Sequence, residues 1–477
     1  HLLRRGNRIC VRPGGVHLMT HAHLIGIGGS GLSAIARLLL ESGYSVSGSD
    51  RVLSEQAREL AAAGATVFAG HAAENIRGAD LVIRSSAIPD SNPEVLAALA
   101  AGIPVLKRSE FLGQLMSGRV GVAVAGTHGK TTTTAMVAWL LTACGRDPSY
   151  IIGGVSKNLG NNAHAGQGNT FVIEADEYDR MFLGLDPQIT VVTMVEHDHP
   201  DCFPTPAEYM AAFTAFVGKL KPGGLLVTNA DDAQAARLAE LVPSGCRVVT
   251  YGLKPGADLR AVNIVRNTAG GFTFDVQTLL GTRVGNIALQ VPGEHNIFNA
   301  LAAFAVAQEL KIDAGKAAAA LDAFQGTGRR FDVRGEVNGI VIIDDYAHHP
   351  TEIRATLAAA RVRYPESRLW AVWQPHTYSR TQMLLADFTR AFNDVDRVIV
   401  TAVYAARETE TGFTAAQVVA QMQHGNARYI PALEDVCKTL IAELKPGDVF
   451  LVLSAGEADQ VSSQVLSALR HKEESHA

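Results

Sequence analysis

The chain has 477 residues, of which 47% are hydrophobic and 19% charged, and its formal net charge is −5. At about 150 residues per domain, this length predicts roughly three domains, and the composition excludes a disordered chain. The mild negative charge gives no indication of a nucleic-acid or anionic-membrane partner. Five scattered cysteines without CxxC spacing exclude a disulfide framework or a cysteine zinc site and indicate a reducing, cytoplasmic location.

Residues 1–19 carry four arginines but no apolar segment typical of a signal peptide. No apolar run in the chain reaches the length of a membrane span. We therefore expect an N-terminal extension, followed by a patterned chain that begins near Thr20.

Residues 20–117 are predicted to form a first α/β unit. HAHLIGIGGSG is a short strand that ends in a GxGxxG turn, and a helix and a second strand ending at Asp50 follow. A diphosphate is expected at the helix N-terminus, although a lone GxGxxG also fits NAD or a turn that only allows close packing. The candidate contacts are Gly26, Gly28, Gly29, Ser30, Gly31, Asp50, His71, Ser85 and Ser86.

Residues 118–327 begin with a phosphate loop. An apolar strand stops at Gly126, and Thr127, His128, Gly129, Lys130, Thr131 and Thr132 lead into a helix. Backbone N–H groups of such a turn bind phosphate, the lysine adds a charge, and the hydroxyl of Thr131 is suited to Mg²⁺. The pattern GxxxxGK[ST] fails because Val124 stands where glycine is required, so the loop is a shortened variant.

Two later strands of this unit end in polar residues. FVIEADEYD places Glu174, Asp176 and Glu177 at one strand end, and EHDHPD places Glu196, His197, Asp198 and His199 at the next. This donor set favours Mg²⁺. Zinc is not expected, since His197 and His199 would point to opposite faces if the strand continued. Further on, Asn296 and Asn299 lie one turn apart at a helix start, so their amides should face the same way.

Residues 328–477 are predicted to form a third α/β unit, which begins within a basic, glycine-punctuated hinge (residues 326–335) that contains Arg330. Its first two strands end in Asp345, Tyr346 and His348 and in His376 and Arg380. The predicted fold is therefore α/β with three units: an N-terminal nucleotide-binding unit, a central unit with the phosphate loop and a third α/β unit.

The motifs HLIGIGGSG, GTHGKTTT, EADE, EHDHPD, GEHNIFNALAA, GRRFD, DDYAHHPTEI and QPHTYSR, in this order, resemble the Mur ligases of peptidoglycan synthesis. The resemblance runs from about Thr20 to beyond Glu457. It implies an α/β chain with an N-terminal Rossmann-like UDP-binding domain, a central P-loop ATPase domain and a C-terminal Rossmann-like domain. It implies ATP-dependent amide formation through an acyl phosphate, with Mg²⁺ and with UDP-N-acetylmuramate and L-alanine as substrates. The last two motifs indicate the alanine-adding activity. The close alternative is a recycling ligase that attaches a tripeptide, and a nucleotide switch and an NAD dehydrogenase are more distant ones.

The resemblance also implies individual roles. The glycines of the first unit would hold the UDP diphosphate, and Lys130 the transferred phosphate. Glu174 and His199 would bind a second metal, with Thr131 on Mg²⁺. Asn296 and Asn299 would lie near adenine, Arg330 near the γ-phosphate and Asp345 on the nucleotide. Tyr346, His348, His376 and Arg380 would surround alanine.

Some features stay open at this stage. Either His348 or His376 could serve as the base that deprotonates the amine. The chain departs from the family pattern at Glu457, where aspartate is usual, and at Tyr178, where a small residue is usual. A monomer or a weak homodimer is expected.

Overall fold

The structure, a computed structural model, describes residues 21–474, and the predicted N-terminal extension lies outside this part. Three α/β units follow one another along the chain, each built on its own sheet. The first sheet is wholly parallel, with strand order β3-β2-β1-β4-β5. Its strands are β1 His21–Ile25, β2 Ser45–Asp50, β3 Thr66–Ala69, β4 Leu81–Arg84 and β5 Val105–Lys107, and its helices are α1 Ser30–Glu41, α2 Glu55–Ala62, α3 Pro93–Ala100 and α4 Arg108–Leu115, with a 3₁₀ segment at Ala73–Ile76.

The central unit has ten strands: β6 Val120–Ala125, β7 Ser149–Ile151, β8 Ala163–His164, β9 Thr170–Glu174, β10 Ile189–Val192, β11 Leu225–Asn229, β12 Arg247–Gly252, β13 Leu259–Arg266, β14 Phe272–Thr278 and β15 Arg283–Ala288. Its helices are α5 Lys130–Ala143, α6 Pro206–Val217, α7 Ala233–Arg237, α8 His295–Glu309 and α9 Ala314–Asp322, with 3₁₀ segments at Tyr178–Gly184 and Leu238–Leu241. The strand order is β15-β14-β13-β12-β11-β10-β6-β9-β7-β8. The part around β6 is parallel, whereas β13, β14 and β15 form an antiparallel meander at one edge.

The third unit has strand order β16-β17-β21-β18-β19-β20, and only β16 is antiparallel to its neighbour. Its strands are β16 Asp332–Val337, β17 Ile340–Asp345, β18 Leu369–Trp373, β19 Arg397–Val400, β20 Ala427–Tyr429 and β21 Val449–Leu453. Its helices are α10 Pro350–Arg363, α11 Tyr378–Met383, α12 Leu385–Phe388, α13 Ala416–Val419, α14 Leu433–Glu443 and α15 Asp459–Glu474.

Strand register brings the polar segments of the central unit together. β6 lies between β10 and β9, so that Ala125 is opposite Val192 and Val124 is opposite Glu174. The phosphate loop after β6 is therefore flanked by both polar strand ends, at the carboxyl edge where open α/β sheets bind ligands.

Buried helices fix this arrangement. α5 and α8 pack together against the central sheet, with Met136, Leu140, Ile297 and Phe304 in one apolar core. Between residues 21 and 474, no helix combines the length and the apolar character that a membrane crossing needs. The four cysteines in this range are free thiols.

Candidate active site

The phosphate loop is shaped by two glycines with positive φ, Gly126 at +131° and Gly129 at +83°. A side chain at Gly126 would collide with Thr193, and one at Gly129 would meet the Asn299 amide. Thr127 holds the loop from inside: its N–H donates to the carbonyl oxygen of Met194 (2.9 Å), and its hydroxyl donates to that of Glu196 (2.8 Å). The loop geometry therefore depends on residues of the next strand end.

Lys130 points back into this loop. Its ammonium donates to the carbonyl oxygens of Gly126 (2.6 Å) and Thr127 (3.1 Å) and pairs with Glu177 at 2.9 Å. Burial disfavours both charges, but the ion pair prevails: it raises the pKa of Lys130 and lowers that of Glu177 to about 2. Both groups are therefore charged at neutral pH, and a cation is held at the mouth of the anion-binding turn.

Thr131 and Glu174 are in direct contact. The Thr131 hydroxyl donates to Glu174 Oε1 at 3.0 Å, and Glu174 Oε2 accepts from the Gly153 N–H at 2.7 Å. Burial raises the pKa of Glu174, so a nearby cation would relieve the cost of its charge. A hydroxyl and a buried carboxylate oxygen beside a phosphate loop are the hard donors that Mg²⁺ prefers, so these residues fit that ion.

His199 lies on the other side of the Lys130–Glu177 pair. Its Nε2 is 3.6 Å from Glu177 Oε1, and its Nδ1 is 3.3 Å from an Arg380 guanidinium nitrogen. These contacts are with Glu177 and Arg380 rather than with Glu174, and the shared metal role of Glu174 and His199 stays a prediction. The backbone of His199 has φ +55°, a strained conformation typical of functional loops.

The expectation that His197 and His199 alternate along a continued strand is wrong. β10 ends at Val192, so neither histidine continues a strand. The two rings nevertheless have different surroundings, because the His197 ring bonds to the carbonyl oxygen of Phe203 at 2.7 Å. The loop path, and not strand alternation, separates them.

A cavity of about 390 Å³ lies between the central and third units. Asn296 and Asn299 line it, and their amides lie on the same side of α8 in direct contact, since Asn299 Nδ2 donates to Asn296 Oδ1 at 2.9 Å. Thr133 of α5 donates to Asn299 Oδ1 at 3.1 Å. The cavity is also lined by His128, Gly129, Thr131, Thr132, Arg330 and Asp345. Seven of the ten predicted ATP-binding residues therefore line it, whereas Gly126, Thr127 and Lys130 are not among its lining residues.

Asp345 and Arg330 belong to the third-unit side of the cavity. Both Asp345 oxygens accept backbone N–H groups, from Ala347 and from Phe331, each at 2.7 Å. Burial still raises the pKa of Asp345 to about 6. The guanidinium of Arg330 lies 5.2 Å from the centre of the Tyr346 ring and 3.6 Å from Glu352.

The four residues predicted around alanine are brought together. The His348 ring centre is 5.5 Å from that of Tyr346 and 5.7 Å from that of His376. Arg380 is 3% exposed; its Nε donates to Asp198 at 2.7 Å and its Nη1 to His376 Nδ1 at 3.1 Å. With Nη2 engaged by His199, two of its five N–H groups are left for a substrate carboxylate.

The glycine turn of the first unit is held by Asp50, whose Oδ2 accepts the Gly28 N–H at 2.9 Å. The Ser49 hydroxyl bonds to His71 Nδ1 at 2.9 Å, and Ser85 packs against Gly26. Ser86 is exposed beyond β4, and the side chain of Ser30 lies outside the described part. The Arg108 side chain fills the space over Gly31 and reaches Asp176 of the central unit at 3.7 Å.

The two departures from the family pattern have different surroundings. Glu457 is exposed. Tyr178 donates to Asp201 at 3.1 Å and stacks beneath Arg407, whose guanidinium carbon is 4.0 Å from the ring centre. Arg407, from the third unit, also pairs with Asp201 at 2.7 Å. Tyr178 thus belongs to a contact between two units.

The sequence predicted no individual role for three of the contacting side chains: Glu177, Asp198 and Glu352. Glu177 and Asp198 lie in the polar segments EADE and EHDHPD, and Glu352 lies in DDYAHHPTEI shortly after His348, so membership of these motifs was the available signal. What the motifs could not indicate is which partner each carboxylate would meet.

The fold and the site define a class of protein. Residues 21–120 match the family described as "Mur ligase family, catalytic domain", residues 124–307 match "Mur ligase middle domain", and residues 329–456 match "Mur ligase, glutamate ligase domain". The chain belongs to the Mur ligase family.

Individual relatives narrow the comparison. The chain is 45% identical over 457 residues to the UDP-N-acetylmuramate–L-alanine ligase of Geobacter sp. (strain M21), covering 95% of this chain and 98% of that protein. It is 46% identical to the enzyme of the same name from Geotalea uraniireducens, covering 94% and 98%. The solved UDP-N-acetylmuramate-alanine ligase of Thermotoga maritima superposes with a TM-score of 0.80 at 28% identity, covering 95% and 99%. A murein peptide ligase from Psychrobacter arcticus gives 0.71 at 26%, covering 94% and 98%.

Proposed function

We propose that this enzyme joins L-alanine to the lactyl carboxylate of UDP-N-acetylmuramate and converts ATP to ADP and phosphate. One observation carries the proposal: a continuous series of contacts from Lys130 through Glu177 and His199 to Arg380. A cation suited to the transferred phosphate is thereby linked to a cation suited to an amino-acid carboxylate. The names of relatives at 45–46% identity over most of the chain support the choice of L-alanine.

In the first step, an oxygen of the lactyl carboxylate attacks the γ-phosphorus of ATP. The bond from that phosphorus to the β-phosphate oxygen breaks, and an acyl phosphate and ADP form. Lys130 and Arg330 would offset the negative charge, and Thr131 and Glu174 would hold Mg²⁺, which supplies further charge compensation when bound. The contribution of the chain is mainly positioning and electrostatics.

In the second step, the neutral amine of alanine attacks the acyl carbon, and the C–O bond to phosphate breaks to leave the amide and inorganic phosphate. Arg380 would orient alanine through its carboxylate, using the two N–H groups left free. The amine loses one proton, so a neutral base is needed.

Hydrogen bonding favours His348 as that base. Its Nδ1 lies 2.9 Å from the carbonyl oxygen of Tyr346, which can only accept, so Nδ1 carries the proton and Nε2 carries the lone pair. His376 Nδ1 accepts from Arg380, which leaves its Nε2 protonated. Burial lowers the pKa of His348 to about 3 and that of His376 to about 4, so both rings are neutral at pH 7. Because the pKa of His348 is low, this ring holds the proton only transiently during the reaction.

The remaining features of the proposal follow from this reaction. UDP would be bound by the glycine turn of the first unit, beside Asp50, His71, Ser85 and Ser86. ATP and Mg²⁺ would be required, and the location would be the cytoplasm. The domain divisions that we propose fall after residues 117 and 327, and a monomer or weak homodimer is expected.

Phosphate release tests the proposal. The enzyme with ATP, Mg²⁺ and UDP-N-acetylmuramate should release phosphate only when L-alanine is added, and Glu174→Ala should abolish this release, whereas Glu240→Ala at an exposed position should not. Preference for a tripeptide would favour the recycling ligase. Release without any sugar substrate would favour a nucleotide switch, and normal turnover of Glu174→Ala would contradict the site assignment.

A further inference from the structure

Glu352 is the third residue of α10, and its side chain is 11% exposed. Its two carboxylate oxygens have different partners. Oε2 accepts the backbone N–H groups of His348 (3.1 Å) and His349 (3.4 Å). Oε1 lies 3.1 Å from His128 Nδ1 and 3.6 Å from Arg330 Nη1. One carboxylate therefore touches the phosphate loop, the hinge and the segment that carries the alanine-site histidine.

Helix capping explains only half of these contacts. An N3 glutamate that accepts from the N-cap N–H is a standard capping box, and Oε2 alone serves it. Oε1 faces His128, which lies 224 residues away in the chain and in the central unit. A carboxylate that merely capped α10 would have no need of this second set of partners.

Two positively charged side chains at the ATP site, His128 and Arg330, require a negative charge near them. His128 also contacts Glu196 through Nε2 at 3.1 Å, and although burial works against the charged ring, Glu352 and Glu196 raise its pKa to about 9. An imidazolium and the Arg330 guanidinium thus share one small region. The Glu352 carboxylate lies within reach of both and offsets their repulsion.

Glu352 also acts on the amine side. Its Oε2 lies 3.4 Å from His348 Nδ1, so together with the carbonyl oxygen of Tyr346 it favours the tautomer that keeps the proton on Nδ1. The negative charge beside the ring would also support the imidazolium that forms when Nε2 accepts a proton.

We propose that Glu352 is a positioning residue. It fixes the positions of two cations at the ATP site, His128 and Arg330, relative to His348 at the alanine site. The inference rests on the proposed ligase function. The consequence is that phosphoryl transfer and amine attack both depend on the Glu352 carboxylate. A substitution of Glu352 should therefore slow both half-reactions.

Glu352→Gln is the informative variant, because glutamine keeps the cap acceptor and the shape but removes the charge. We expect kcat to fall about 100-fold through misplaced reacting groups, and KM for alanine to rise about 10-fold, with KM for UDP-N-acetylmuramate unchanged. Glu208→Gln is the matched control. Glu208 occupies the same N3 capping position in α6 but is exposed, and this variant should keep wild-type kinetics.

A double-mutant cycle tests the route of the effect. If Glu352 acts through His128, the losses from Glu352→Gln and His128→Asn are non-additive. Wild-type kinetics for Glu352→Gln, or full additivity in the cycle, would overturn the inference. If Glu352→Gln does not fold, His128→Asn alone decides: it should raise KM for alanine although His128 does not line the alanine site, and an unchanged KM overturns the inference.

The outcomes separate this inference from the proposed function. Wild-type enzyme without alanine-dependent phosphate release would refute the proposed function itself. An active wild type together with an equally active Glu352→Gln variant would refute only the role of Glu352.

Discussion

Replacement of Arg380 by lysine tests the amino-acid site most directly. Arg380 is 3% exposed and contacts three partners: Asp198 at 2.7 Å, His376 at 3.1 Å and His199 at 3.3 Å. Lysine keeps the charge but has neither the fork geometry nor the reach to keep all three contacts. The loss of a hydrogen bond to a charged group lowers the free energy of unfolding by about 1.5–3 kcal/mol, and the loss of one partner of a buried ion pair lowers it by about 3–5 kcal/mol.

Lysine can also keep only one of the two hydrogen bonds that Arg380 offers to the alanine carboxylate. The other is a hydrogen bond to a charged group worth about 1.5–3 kcal/mol, so its loss should raise KM for alanine roughly 10- to 100-fold. Phosphate release at varied alanine, with saturating ATP and UDP-N-acetylmuramate, measures it. Arg428→Lys is the control, since Arg428 forms an exposed pair with Glu443 that contributes little. An unchanged KM for alanine, or an equal rise in KM for ATP, would refute the assignment of Arg380 to the alanine carboxylate.

Three further outcomes are expected. Gly126→Ala, at φ +131°, should destabilise the central unit by about 1–3 kcal/mol, seen as earlier urea unfolding. Asn299→Leu leaves a buried amide oxygen unpaired and should raise KM for ATP about 10-fold without changing KM for alanine. His128 lies between Glu196 and Glu352, which raise its pKa to about 9. This raised pKa adds up to about 3 kcal/mol to the free energy of unfolding below pH 6.5, and the contribution is lost as pH rises through about 9.

Each of these has a result that contradicts it. Equal unfolding midpoints for Gly126→Ala and wild type would mean that the backbone there is not constrained. An unchanged KM for ATP in Asn299→Leu would remove Asn299 from the nucleotide site. For His128, the stability difference between wild type and His128→Asn should shrink between pH 6.5 and 9.5, and a constant difference would contradict the raised pKa.

Local pattern was sufficient for much of the fold. The apolar run before Gly126 and the helix after Lys130 follow from a buried strand and a glycine turn, and the structure has both. The paired amides of Asn296 and Asn299 follow from helical spacing alone. These features depend on residues close in sequence, which is why periodicity and turn chemistry predict them.

Other features depend on which surfaces meet. The meander of β13, β14 and β15 carries alternating, half-buried residues at the edge of a sheet, and no motif drew attention to it. The contact of Glu352 with His128, or of Arg380 with Asp198, requires two units to dock. Spacing along the chain contains no information about that docking, so the sequence could supply the members of the site but not their pairing.

The contact of Arg407 with Tyr178 and Asp201 has a consequence for how ionic strength acts on the enzyme. L-alanine has one carboxylate, one ammonium and one methyl group, and a ligand shifts a conformational equilibrium only by its differential affinity. Apart from ATP, which would contact both units in the cavity between them, contacts within the protein therefore supply the free energy that holds the third unit on the central one. The Arg407 side chain is 46% exposed, whereas Arg380 is 3% exposed. Since salt screens exposed charges first, rising salt should undock the units at Arg407 while the buried Arg380–Asp198 pair is still intact.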